Sequence, residues 1–143
     1  MAFSAKTEYG LVALIDLAAV HDSGTVLQAG EICRRHGIPE RYLEQLLTTL
    51  RKGGFLRSIR GPRGGFQLSR SPEQITVAEV EARLEGEIRL VRKGTREDGE
   101  FRAIGALNRQ LQEARAAILN QTTLAQLVQE RDRLRQPQPM FYI

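Results

Sequence analysis

Along the first half of the chain, apolar residues recur at helical spacing and then switch to short alternating runs. Ser4 is placed to cap a helix over Glu8–Val20, which stops before Asp22-Ser23-Gly24. Val26 and Leu27 read as a brief extended link, and Ala29–Arg35 as a short helix closed by His36-Gly37. Pro39 suits the first turn of the next helix, where its missing N–H costs nothing. There Leu43, Leu46, Leu47 and Leu50 fall at i, i+3, i+4 and i+7 and predict one buried stripe, ended by Gly53-Gly54. Phe55–Arg60 and Phe66–Ser69 flank Gly61-Pro62-Arg63-Gly64-Gly65 and predict a hairpin. Thr76-Val-Ala-Glu79 is a capping box that opens a helix to about Leu84.

The second half is simpler. Residues 87–101 are charged, contain Gly94 and Gly99, and read as a linker. Ile104, Leu107, Leu111, Ala114 and Ile118 follow at intervals of 3, 4, 3 and 4, the seam of a helix that packs on another helix. Thr123-Leu-Ala-Gln126 is placed to cap a further helix to about Leu134, and the tail RQPQPMFYI follows. The expected organisation is a helix-turn-helix with a β-hairpin wing over 1–86, a linker over 87–101, dimerisation helices over 102–135 and an extended tail over 136–143. The expected fold class is mainly α with a small β-hairpin wing.

Charge sharpens this picture. The window from Gln45 to Pro72 has no Asp or Glu and carries Arg51, Lys52, Arg57, Arg60, Arg63 and Arg70. Those six charges exceed the +4 of the whole chain, so the remainder sums to −2. Local positive charge on a helix and its neighbouring hairpin is the footprint of a polyanion-binding surface. Opposite the leucine stripe lie Glu40, Arg41, Glu44, Gln45, Thr48 and Lys52, residue types that read base edges and phosphates. Either Arg60 or Arg63 of the wing is suited to a minor groove. A nucleotide-binding nest is disfavoured, because the glycine loop lacks the GxxxxGK[ST] spacing and leads into a strand.

Other chemistry is sparse. The single cysteine, Cys33, reads as a small buried apolar residue, with a redox sensor as the alternative because Arg34 and Arg35 could lower a nearby thiol's pKa. One cysteine allows no intrachain disulfide, which fits a reducing cytoplasm. His21 and His36 lack metal-ligand spacing and default to the surface. Glu79, Glu81, Glu85 and Glu87 read as a solvated helix face. No catalytic constellation stands out, so an enzyme is not expected. MAFSAKTEYG lacks a signal peptide's basic start, and Leu11–Val20 is too short to span a bilayer.

YLEQLLTTLRKGGFLRSIRGPRGGFQL resembles the signature of the IscR/NsrR/RirA/CymR group of bacterial winged-helix regulators (Rrf-type). The resemblance extends to AKTEYGLVALIDLA, ITVAEVEARLEG and NQTTLAQLV, almost the full chain. It implies a homodimer on a palindromic operator, with a long C-terminal helix crossing to the partner. It further implies that Arg41, Glu44 and Gln45 read the major groove, that Arg60 enters the minor groove, and that Tyr9, Arg51 and Gly61 touch the backbone. Iron–sulfur members of the group place three cysteines between the short helix and the dimerisation helix. Here Arg92–Ala106 has none, so a cluster-free protein without cofactor is expected. Met140, Phe141, Tyr142 and Ile143 resemble the C-terminus of the group's cluster-free cysteine-metabolism repressors, of the CymR type. That likeness implies sulfur or cysteine genes as targets, and a tail that offers its terminal carboxylate to cysteine synthase (O-acetylserine thiol-lyase). The alternative is a tail packed on its own dimer.

Overall fold

The computed structural model describes residues 2–86 and 98–137. Its helices are α1 (Ala5–Ala19), α2 (Ala29–His36), α3 (Glu40–Lys52), α4 (Val77–Glu85), α5 (Gly99–Gln121) and α6 (Leu124–Arg135). Strands β1 (Leu56–Ile59) and β2 (Gly65–Leu68) pair antiparallel between α3 and α4. This is a winged helix-turn-helix followed by two C-terminal helices. The linker expected over 87–101 falls mostly outside the described residues, but 99–101 are helical, with Asp98 as the N-cap of α5. Gly99 suggested a loop, yet at the first helical position its poor propensity matters little. The tail residues Met140, Phe141, Tyr142 and Ile143 also lie outside the described residues, as does Glu87.

Local signals explain most of the boundaries. The Ser4 hydroxyl accepts from the Thr7 N–H and starts α1 a turn before the apolar run. Gly37 at φ 68° closes α2 in the left-handed conformation, which lets the chain turn directly into α3. Pro39 sits at the N-cap of α3, one position outside the first turn where it was expected. Both predicted capping boxes form, at Thr76 with Glu79 and at Thr123 with Gln126.

The core lies where α1, α3 and α4 meet the foot of the wing. Leu43, Leu47 and Leu50 of α3 are wholly buried, against Leu14 and Leu17 of α1, Val80 of α4, and Leu56 and Leu68 of the wing. Burying the four leucines of α3 contributes roughly 6–12 kcal/mol before entropy is counted. That stripe fixes which face of α3 points outward. Leu119 and Leu124 tie the C-terminal helices to this core, helped by backbone bonds from Val77 N to Thr122 O (2.8 Å) and from Leu124 N to Ile75 O (3.0 Å).

Candidate nucleic-acid interface

The face of α3 opposite the leucines is solvent-exposed at Glu40, Arg41, Glu44, Gln45, Thr48 and Lys52, as the spacing predicts, and Arg51 beside it is exposed too. The Thr48 hydroxyl donates to the Glu44 carbonyl (2.9 Å), so this residue presents its methyl group outward more readily than its oxygen. Tyr9 of α1 is half-buried and meets Tyr42 of α3 edge to face, with ring centroids 5.7 Å apart. Its first role is therefore to seat the start of α3 against α1.

The wing springs straight from the end of α3, through Phe55 N to Leu50 O (3.1 Å). Its strands pair from Leu56↔Leu68 to Ile59↔Gly65, two residues shorter in β1 than expected. The predicted extended link at Leu27 joins the sheet as a third, one-residue strand. Leu27 and Phe66 exchange both backbone bonds, at 3.1 and 2.8 Å. At the tip the Gly64 N–H donates to the Gly61 carbonyl (2.9 Å), and Gly61, Pro62 and Arg63 project into solvent beside Arg60. Two wing glycines are required by the fold itself. A methyl group on Gly65 would land on the Leu27 carbonyl oxygen, and one on Gly64 would strike the backbone of Ile59. Close approach within the wing itself requires glycine at both positions.

The six cations of the acid-free window divide into two sets. Arg70 donates to the Gln74 carbonyl (2.6 Å), pairs with Glu79 (3.3 Å) and lies over the Phe55 ring. Arg57 holds the Gln67 amide oxygen through Nε and Nη2 (3.3 and 3.1 Å). Both serve the wing's own construction. Arg51, Lys52, Arg60 and Arg63, with Arg41, are exposed and have no carboxylate partner among the described residues. Cations left unneutralised on an exposed surface are what phosphates require.

Several side chains read as idle surface turn out to be placed. His36 Nε2 meets Asp16 Oδ2 at 2.6 Å, and Arg35 reaches the same oxygen at 3.4 Å. Asp16 is only 2% exposed, so this cluster clamps the end of α2 to α1. The glutamates of α4 are likewise committed. Glu79 closes its capping box, whose backbone bond, aided by Arg70, holds its carboxyl below the usual range. Glu81 takes a two-pronged bond from Arg115 of α5 (2.6 and 2.5 Å), and Arg115 also lies over Phe3. Glu85 accepts from the Ser4 and Thr7 hydroxyls, and those two bonds lower its pKa. The sequence announced the Glu79 capping box; for the other pairs its one signal was a lone Asp in an apolar helix.

Cys33 is buried, as expected. Burial pushes its thiol up, the Glu40 and Glu44 carboxylates add to that, and Arg34 opposes it without prevailing. Cys33 is the chain's one cysteine, and among the described residues no group of His, Cys, Asp and Glu is placed to hold a metal.

The apolar seam predicted along α5 lies exposed. Ile104, Leu107, Leu111 and Ile118 are 51–63% exposed, Ala114 is exposed as well, and Leu119 is the one buried residue of α5. No helix among the described residues is long and apolar enough to cross a membrane.

The chain is similar to known proteins in sequence and in fold. The model of the Rrf2 family, described as iron-dependent transcriptional regulators, matches residues 3–130. The HTH-type transcriptional regulator IscR of Cronobacter sakazakii is 36% identical over 135 residues, covering 92% of this chain and 83% of the relative. Among solved structures, CymR, the global cysteine regulator of B. subtilis, superposes with a TM-score of 0.78 at 33% identity, covering 90% of this chain and 96% of that one. IscR of T. potens reaches a TM-score of 0.80 at 29% identity, covering 96% and 93%. The relative from C. sakazakii is named a regulator of transcription, and the B. subtilis structure a regulator of cysteine.

Proposed function

The chain belongs to the Rrf2 family of winged-helix transcriptional regulators, and from that premise we propose how it acts: as a homodimer on a palindromic operator, in the cytoplasm. One observation carries the reading. The outward face of α3 and the wing that grows from its end bear Arg41, Arg51, Lys52, Arg60 and Arg63, exposed and without a carboxylate partner among the described residues. In this reading Arg41, Glu44 and Gln45 read base edges in the major groove, with the Thr48 methyl beside them. Arg60 enters the minor groove, while Arg51, Lys52, Gly61, Arg63 and Tyr9 hold the backbone. The bare seam of α5 pairs with the same seam of a second copy, which spaces two α3 helices for two half-sites.

The finer proposal is a cluster-free repressor of cysteine or sulfur genes. The lack of cysteine in Arg92–Ala106 supports the first part. Likeness to the cysteine regulator of B. subtilis, together with the MFYI tail, supports the second. A tail that docks its MFYI segment on cysteine synthase belongs to the same reading. Oxidant sensing at Cys33 is the weaker alternative, since a buried thiol whose pKa is raised is mostly protonated and slow to react.

The test is operator selection with the full-length protein, followed by binding of Gln45→Ala and Arg60→Ala. Each lost base contact should weaken operator binding by about 1–3 kcal/mol while leaving random-sequence duplex less affected. Operator affinity unchanged in the double variant would overturn the reading.

A further inference from the structure

Arg83 belongs to α4, outside the acid-free window, and is exposed. Its own helix offers it three acids, Glu79, Glu81 and Glu85, and each is engaged elsewhere: with Arg70, with Arg115, and with Ser4 and Thr7. Arg83 instead reaches back to the end of α3. Its Nε donates to the Thr49 carbonyl (3.3 Å), and its stem crosses Gly53 so closely that a methyl group there would meet Cγ, Cδ and Nε at 3.0 Å. That bond uses one of the guanidinium's five N–H groups and leaves four. They lie at the Thr49–Gly53 end of α3, the helix that carries the base-reading face and whose last two residues are Arg51 and Lys52.

We propose that Arg83 is a phosphate contact of the DNA interface, so that α4 extends the surface which the sequence confined to α3 and the wing. The inference rests on the regulator reading above. Three features favour it over a purely internal role. A cap on a helix carbonyl needs a single N–H, which a lysine supplies. A guanidinium kept clear of three nearby carboxylates retains its full charge for an outside anion. The Nε bond and the contact across Gly53 fix the stem in advance, so little side-chain entropy remains to be lost on binding.

The experiment measures salt-dependent binding of the full-length dimer to a selected operator and to a random duplex of equal length. Arg83→Met keeps the stem over Gly53 and removes the charge, Arg83→Gln does so with a polar end, and Arg83→Lys restores the charge. Each dimer carries two copies of Arg83, so Arg83→Met and Arg83→Gln should lose affinity for both duplexes by the same factor, about ten- to 100-fold, and flatten the salt slope by about 1.8, or about 0.9 for each lost contact. Arg83→Lys should recover the slope. A role confined to capping α3 would lower the melting temperature and leave the slope alone. If the wild type binds DNA and both neutral variants keep its slope, this inference falls and the regulator reading stands. A wild type with no salt-dependent duplex binding overturns both.

Discussion

Replacing Leu111 with Ala on the bare seam of α5 tests the proposed assembly quantitatively. Leu111 is 61% exposed in the protomer, so most of its side chain is available to a partner and little of it supports the protomer's own core. Full burial of a leucine stabilises by about 1.5–3 kcal/mol, and the exposed share gives about 1–2 kcal/mol per protomer. A two-fold interface uses the same residue twice, which raises the loss to about 2–4 kcal/mol per dimer. The dimer dissociation constant should then rise roughly 30- to 700-fold. Sedimentation over a concentration series measures that constant, and thermal melts at low concentration measure the protomer. The protomer should melt within about 0.5 kcal/mol of wild type, because an exposed position away from the core contributes little. An unchanged association constant would refute the reasoning. So would a loss confined to the protomer's own stability.

Three further outcomes follow from the contacts. Asp16→Ala strands His36 and Arg35; because both partners are partly exposed, the cost should be about 2 kcal/mol, roughly 6–8 °C in melting temperature, and a loss under about 0.5 kcal/mol would deny the clamp. The pKa of Glu85 is depressed by Ser4 and Thr7, so its contribution is present above the ordinary carboxylate range and is lost as pH falls through the depressed value; acid melts of Glu85→Gln should lack that component, and an identical acid limb would contradict it. Gly65→Ala should break the Leu27–Phe66 exchange at about 1–2 kcal/mol and weaken operator binding through the wing while far-ultraviolet circular dichroism keeps its helical signal; full operator affinity would show that the wing tolerates the shift.

Helix boundaries, caps and the wing were legible because they depend on neighbours a few residues apart. Ser4, Gly37, Thr76 and Thr123 mark ends through bonds that span only a few positions. The stripe at Leu43, Leu46, Leu47 and Leu50 named both the buried face of α3 and, by subtraction, the face left for DNA. The seam of α5 was equally plain, since its period is written along one helix.

Partnerships across the chain were not legible. Asp16 lies 20 residues from His36, Arg115 lies 34 from Glu81, and Thr7 lies 78 from Glu85. No local pattern states which acid a given base will meet. For that reason Glu81 and Glu85 looked like solvated surface, and the partners of Arg57 and Arg70 could not be named. Once the core closes, Arg70 pairs with Glu79 and Arg57 bonds Gln67 across the wing, while Arg51, Lys52, Arg60 and Arg63 have no carboxylate partner among the described residues. Arg83, outside the window, joins them because α4 packs beside the end of α3. Short-range periodicity and capping let the sequence alone determine the elements and their buried faces. Which charges remain free for a partner was decided only by the tertiary structure, because a charge is spent or spared according to what packing brings within bonding distance.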